Sequence, residues 1–376
     1  MAGIYIHIPF CKTKCPYCDF FSVTDVSFKS RLIEGIMKEL ELQKNYLDRE
    51  KIETIYFGGG TPSFVEPSYL QHILDKIYAM FTVVDHPEIT IECNPDDLDE
   101  AYIRSLKIIA DFRINLGVQS FIDAELQLLQ RRHNADQSLD VLEKLFDLGF
   151  MNVGIDIIYG LPNSDLNHLA FNLETAFQFP ITHLSAYHLT IEEGTPFYNQ
   201  LQKGEINEIS EELSRKLYFY LKQKASEHGF EQYEISNFAK HKLYSRHNTS
   251  YWRGVPYLGI GPSAHSFDGK RRHWNVAGIG KYLQFIEKAE LACEEEQLTM
   301  KDRFNEYLMV SLRTKWGIEM DHLQTSFPSF MDGEFKRKLT HYQEKELIYQ
   351  DNDRIYLTKE GQFLSDSIIM DLFKTD

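Results

Sequence analysis

From its first residues to about position 189, this 376-residue chain alternates short β-branched runs with amphipathic helical stretches, and no other feature restricts its fold so tightly. A β-rich run opens the chain around residues 5–8. The periodicity then predicts helices over 28–47, 67–81, 99–109, 123–148 and 165–178. Strands are predicted over 52–57, 88–93, 113–118, 152–159 and 182–189. Strands separated by helices of this length pair in parallel through right-handed crossovers. Six such units predict an α/β fold, an incomplete (β/α)6 barrel.

The residues that a plain scaffold would not need fall at the strand ends. A cysteine loop follows the first strand, and Gly58 to Pro62, Glu92 to Pro95, Gly117 to Ser120, Asp156 to Pro162 and Tyr187 to His188 follow the others. In parallel α/β barrels the C-terminal rim of the strands holds the active site. Six polar or glycine-rich strand ends are therefore expected to surround one mouth.

The cysteine loop carries the sharpest chemistry. Cys11, Cys15 and Cys18 lie within eight residues in a polar turn with Lys12, Lys14, Pro16 and Asp19. Three thiolates on one loop can hold three corners of an iron-sulfur cube and leave the fourth iron without a protein ligand, whereas electron-transfer clusters are ordinarily closed by four. Zinc is the alternative, but it usually requires a second Cys-x-x-Cys knuckle or nearby histidines, and Cys93 and Cys293 are single and distant. A disulfide scaffold fits poorly with five cysteines, no signal peptide and a cytosolic reading.

Composition narrows the partners. Forty basic residues against fifty-six acidic ones give a net charge of -16, which opposes free binding to nucleic acid or anionic lipid. No apolar run approaches the length that crosses a bilayer. At 43% hydrophobic residues, the chain can fill one large core and a smaller one. The expected division is a partial barrel over 1–195, an extension over 196–298 and a C-terminal domain over 299–376. The last reads as helices plus a hairpin turning at Asp351 to Asp353, an α+β winged-helix-like arrangement. Acidic residues outnumber basic ones there, so a lid or docking role suits it better than DNA binding.

Cys-x-x-x-Cys-x-x-Cys, with Tyr17 before the third cysteine, resembles the radical S-adenosylmethionine (SAM) superfamily. The longer strings Tyr-Ile-His-Ile-Pro-Phe-Cys, Phe-Gly-Gly-Gly-Thr-Pro-Ser, Glu-Cys-Asn-Pro, Leu-Gly-Val-Gln-Ser-Phe and Asp-Ile-Ile-Tyr-Gly-Leu-Pro are similar to its branch of oxygen-independent coproporphyrinogen III oxidases and haem chaperones. The resemblance implies a [4Fe-4S] cluster on Cys11, Cys15 and Cys18, with SAM chelating the open iron. It implies SAM contacts from Glu92, Gln119, Arg131 and Asp156, the carboxylates suiting ribose hydroxyls or the ammonium and Arg131 the SAM carboxylate. Gly59 and Gly60, lacking Cβ atoms, would let the ligand approach the strand-end backbone beside Thr61. Tyr5 and Tyr17 would pack near the cluster and adenine, although an aromatic on or beside a strand can equally be core.

Two departures separate the branches. The oxidases carry a cysteine two residues after the third where this chain has Phe20, and an N-terminal arm where only four residues precede Tyr5. The segment Arg246-His-Asn-Thr-Ser-Tyr-Trp252 matches the His-Asn-x-x-Tyr-Trp pattern of the haem chaperones, which implies His247 as a haem ligand beside Tyr251 and Trp252. A hydrogen-bonded core histidine is the plain alternative. His265 and His188 are weaker candidates for a second ligand, and Cys93 and Cys293 read as structural thiols. The expectation is a cytoplasmic haem chaperone that binds haem or a related porphyrin. It would deliver haem to respiratory apoproteins, some at the inner face of the membrane, with no catalytic residue assigned. Oxidative decarboxylation of coproporphyrinogen III is the competing function.

Overall fold

The computed structural model describes residues 1–375. Its elements follow in chain order: β1 Ala2–Ile8, α1 Lys29–Leu42, β2 Ile52–Gly59, α2 Pro67–Met80, β3 Val83–Cys93, α3 Glu100–Ile109, β4 Phe112–Gln119, α4 Asp123–Leu128, α5 Ala135–Asp147, β5 Val153–Tyr159, α6 Leu166–Ala176 and β6 His183–His188. Strands β1 to β6 pair in parallel in that order. The sequence-based α/β partial barrel and the observed one agree strand for strand.

Each strand shows a period of two, and the two faces differ in chemistry. Ile4, Ile6 and Ile8, Ile55 and Phe57, Ile89 and Ile91, and Ile114, Leu116 and Val118 are buried in the apolar core they share with the helices. The residues between them are polar or glycine: Tyr5 and His7, Thr54 and Tyr56, Thr90 and Glu92, Arg113 and Asn115, Gly154 and Asp156, His183 and Ser185. A parallel strand packed on both faces reads as continuously apolar. Here alternation lines the interior of the partial barrel with polar side chains.

The helical stretch predicted over 123–148 is two helices. Gln130 adopts a left-handed φ of 51°, and Asn134 restarts the chain as α5 with a capping box closed by Gln137. That interruption places Arg131 at the barrel mouth, which a continuous helix would not do. The last helical stretch of the chain is likewise divided, at Leu364, into α14 Lys359–Phe363 and α15 Ser365–Leu372.

The region 196–298 extends the same sheet at both edges. After α7 Pro196–Gln202 and α8 Glu211–Glu227, strands β7 Glu231–Gln232 and β8 Asn237–Ala239 add to β6. Helix α9 Arg246–Trp252 then leads to β9 Tyr257–Ile260, which pairs in parallel with β1 on the side away from β2. Antiparallel β10 His265–Phe267, β11 Arg271–Asn275 and β12 Cys293–Gln297 continue outward, with α10 Ile279–Glu287 packed on α1. The sequence does not announce β9, because a four-residue strand is too short for a periodic signal. The buried Glu39 carboxylate on α1 fastens this extension, accepting hydrogen bonds from Tyr282 (2.6 Å), Asn275 (2.7 Å), the Gly261 amide (2.8 Å) and Gln43 (2.8 Å).

A second apolar core forms around Phe304, Leu308, Ile318, Phe335, Ile355 and Ile368. It joins α11 Met300–Leu312, α12 Met320–Ser326, α13 Gly333–Glu344 and the last two helices to a three-stranded sheet of β13 Ile318–Glu319, β15 Arg354–Leu357 and β14 Ile348–Asp351. This is the expected winged-helix-like unit. It rests on the larger core through Arg215 to Glu360 (2.7 Å), Arg272 to Glu306 (2.8 Å) and the pair of Lys315 with Glu231. Among the described residues no helix is long and apolar enough to cross a membrane.

Candidate functional site

The cysteine loop leaves the sheet at Phe10 and returns at Val23, where the Cys11 amide donates to Val23 O (2.9 Å) and the Val23 amide to Pro9 O (2.8 Å). Its far side is held by the Phe197 amide on Pro16 O (3.0 Å). Ion pairs fix it to neighbouring strand ends: Lys12 meets Asp97 and Asp96, and Arg132 meets the same two carboxylates. This four-charge clamp was not legible from the sequence, since its members come from two strand ends and the break between α4 and α5. All three loop cysteines are free and half-buried. Burial pushes the Cys11 and Cys18 thiols up, so both are protonated until a metal takes the proton's place.

The three cysteines open on a cavity of about 420 Å³ that Tyr17, Gly59, Gly60, Thr61, Glu92, Gln119, Arg131 and Asp156 also line. Thr61 Oγ1 lies 3.4 Å from Cys11 Sγ, and Arg131 Nη1 lies 3.5 Å from Cys15 Sγ. Arg131 also donates to Gly117 O (3.0 Å) and Asn94 Oδ1 (2.5 Å). Gln119 ends β4 with a left-handed φ of 66°, which turns its side chain out of the strand register. The glycines are required for space: a Cβ on Gly59 would meet the His7 ring at 2.5 Å, and one on Gly60 would meet the Pro9 carbonyl carbon at 2.7 Å.

The electrostatics of this cavity are unbalanced in one direction. Glu92 accepts from Tyr56 Oη (2.7 Å) and the Gly59 amide (3.2 Å), yet burial, reinforced by Asp156, pushes it up to about 7. Burial also raises Asp156, although hydrogen bonds from Ser185 and from Asn115 Nδ2 (2.9 Å) oppose the shift. Asp156 Oδ1, Asn115 Oδ1, Arg131 Nε and two nitrogens of Arg113 are buried without partners among the described residues. Each such group costs about 1–3 kcal/mol until something binds it. Unpaired acceptors beside unpaired donors suit a ligand carrying both charges, as an amino acid does. Among the described residues, no three His, Cys, Asp or Glu side chains are arranged to hold a single metal ion. A cubane asks something different, because each cysteine binds its own iron. Three free thiols on one cavity wall fit that demand.

A second cavity, of about 1240 Å³, adjoins the first. Phe20, Tyr56, Glu92, Tyr187 and Asn248 line both, and Phe20, 71% exposed, stands between them. Tyr5 faces this second cavity, stacked on Tyr56 with ring centroids 6.0 Å apart. His247 borders it too but is itself 1% exposed. Its Nδ1 lies 2.7 Å from Thr54 Oγ1 and its Nε2 lies 2.9 Å from Tyr251 Oη. Burial lowers its pKa to about 3, so the ring is neutral. The absent Cβ of Gly3 makes this fit possible, since one would meet Thr54 Oγ1 at 2.8 Å and the His247 ring at 3.1 Å. Tyr251 and Trp252 are half-buried on the cavity wall. His265 is on the same cavity, whereas His188 lines the first and is tied to Ser214 Oγ (3.0 Å) and Leu189 O (3.0 Å). Cys93 is buried and Cys293 exposed, both away from the loop cysteines.

Interior residues missed in the sequence are Arg113, Asn115, His183 and Ser185, all lining the first cavity. The alternation of polar residues within strands that crossovers should bury was the available signal.

A partial parallel barrel with a three-cysteine loop at the C-terminal end of its first strand defines a radical SAM protein. The profile of the radical SAM superfamily matches residues 5–174, and that of the HemN C-terminal domain matches 298–364. The heme chaperone HemW of Bacillus subtilis (strain 168) is 32% identical over 98% of this chain and 98% of its own. That of Lactococcus lactis subsp. lactis is 32% identical over 97% and 95%. The solved structure of coproporphyrinogen III oxidase (HemN) from Escherichia coli superposes with a TM-score of 0.84 at 20% identity, covering 99% of this chain and 90% of that one. The chain belongs to the HemW and HemN-like family of the radical SAM superfamily. Membership implies a [4Fe-4S] cluster and SAM as cofactors.

Proposed function

We propose that this protein is a haem chaperone that couples a cluster and SAM site to a haem-carrying cavity. Cys11, Cys15 and Cys18 would hold the [4Fe-4S] cluster, which when bound supplies one-electron chemistry toward SAM. Gly59, Gly60 and Thr61 receive the amino-acid end of SAM, Arg131 its carboxylate, and Glu92, Asp156 and Gln119 its ammonium and ribose. Tyr17 packs beside the cluster, and Tyr5 lies on the far side of the shared wall. Haem lies in the larger cavity against Tyr251 and Trp252. His247 becomes an iron ligand once Tyr251 Oη releases its Nε2. From the cytoplasm the haem passes to respiratory apoproteins, including those at the inner face of the membrane. The chain then works in three parts, 1–195 as the SAM barrel, 196–298 as the haem-bearing extension and 299–376 as the winged-helix-like cover.

The observation that carries this reading is the shared wall. A polar cavity fitted to a zwitterion lies directly against an aromatic, histidine-bordered one larger than the roughly 300–1,000 Å³ of ordinary ligand pockets. The relatives named heme chaperone, alike over nearly the whole chain, support it. One anaerobically reconstituted sample tests it. Haemin should give a saturable Soret shift, and the loaded protein should transfer haem to an apo-cytochrome. Coproporphyrinogen with SAM and reductant should yield no protoporphyrinogen. A sample that leaves the haemin spectrum unchanged sinks the proposal, and clear decarboxylation moves the assignment to the oxidase.

A further inference from the structure

Four histidines line the large cavity, His7, His247, His265 and His322, and His265 differs from His247 in every respect that matters to a metal. It is exposed to the cavity, and neither ring nitrogen has a hydrogen-bond partner among the described residues. His247 in the same cavity is buried with both nitrogens engaged. The placement of His265 is built into the fold. It opens β10 opposite Trp274 of β11, and the two rings stack with centroids 5.8 Å apart at 25°. Gly259 lets the backbone of His265 lie against β9, since a Cβ there would fall 2.0 Å from His265 O. The turn between them runs through left-handed Gly261 (φ 102°) and Ser263 (φ 64°). Burial, with the Arg272 charge beside it, lowers its pKa, so the imidazole is neutral and able to ligate.

The cavity also holds cations without anions. Four arginines line it; Arg272 is paired with Glu306 and Arg354 with Glu319. Arg253 and Arg303 have no carboxylate partner among the described residues. Arg253 lies over the Trp316 ring at 4.6 Å, and Arg303 makes only a long contact to Met300. Two unneutralised guanidiniums on an aromatic cavity match a flat macrocycle bearing two carboxylates.

We infer that His265 is an iron ligand of the haem in this cavity, available while the His247–Tyr251 bond is still closed, and that Arg253 and Arg303 receive the propionates. This rests on the haem-carrying reading and names the ligand set that it leaves open. His265 then captures iron from solvent, and His247 is reached only after Tyr251 turns.

The test is haemin titration of full-length wild type, His265→Gly, His247→Phe and the double variant Arg253→Gln/Arg303→Gln, each first checked for native circular dichroism. His265→Gly should lose the wild-type Soret position and bind about tenfold more weakly or worse, a change of about 1.4 kcal/mol. Free imidazole should restore the Soret position, which a merely structural role for His265 would not allow. The arginine variant should bind several-fold more weakly with its Soret position unmoved. Zinc protoporphyrin dimethyl ester, lacking the carboxylates, should not distinguish it from wild type. If wild type binds haemin and His265→Gly shows the same spectrum and affinity, the inference is overturned and the chaperone reading stands. If wild type itself binds no haemin, both fall.

Discussion

The two adjoining cavities are built on opposite principles. The smaller is assembled from consecutive strand ends of one parallel sheet, and its charges are buried, clamped and partly unpaired. The larger is assembled from residues as far apart as Tyr5, His247, His265 and Tyr307, between the barrel extension and the C-terminal unit, and its His247 and His265 are neutral. A site made of one sheet is rigid and stores unsatisfied polarity that a fixed cofactor relieves. A site made between two cores can open by a small shift of one on the other, which suits a bulky cargo that must leave again.

The contrast breaks most sharply at the cysteine loop. Cys15→Ser should abolish cluster assembly, read as loss of bound iron and of the charge-transfer absorbance, while haemin affinity stays within about twofold because Cys15 lines the smaller cavity and shares no partner with the larger one. A parallel collapse of haem binding would show that the cavities are one site. Asp156→Asn should weaken SAM binding by about tenfold, or about 1.4 kcal/mol, in calorimetry, again without touching the haemin titration.

The pH dependence of Glu92 separates the two further. Its carboxyl titrates at about 7 instead of 4.5, so between those values the fold holds a proton that the unfolded chain has lost. Stability without ligand therefore falls as pH rises through that window, and Glu92→Gln should remove this part of the slope in urea titrations. A cationic ligand favours the ionised form. SAM affinity should accordingly rise with pH to a plateau above about 7, and the Gln variant should lose that rise. Because Glu92 also borders the larger cavity, haemin binding should show at most a weaker inflection at the same pH.

Smaller effects belong to the larger cavity. Thr54→Val leaves the buried Nδ1 of His247 without a partner and should cost about 1–3 kcal/mol of stability, with SAM affinity unchanged. Phe20→Ala, at a largely exposed position, should change stability by less than about 0.5 kcal/mol. If Phe20 partitions the cavities, adding SAM should shift the Soret band of the haem-loaded wild type, and the same variant should blunt that shift. An undiminished shift would place the coupling elsewhere on the shared wall.

The sequence by itself determined the six parallel strands, the rim that bears the polar residues and the cysteine loop, because each is encoded locally: strand periodicity, glycine runs and thiol spacing act over fewer than about ten residues. Local patterning also foretold the winged-helix-like unit. What it left undecided depends on which distant segments meet. Arg131 reaches the mouth only because α4 and α5 part at Gln130, and Lys12, Asp96, Asp97 and Arg132 are a clamp only when two strand ends meet that same break. The motif around His247 was legible, but its burial between Thr54 and Tyr251 was not. Only the tertiary structure decided that His247 starts hydrogen-bonded and His265 starts free. The Nε2 partner, Tyr251, lies one helical turn further on, but the Nδ1 partner, Thr54, is 193 residues away in the chain, and no local pattern carries that pairing.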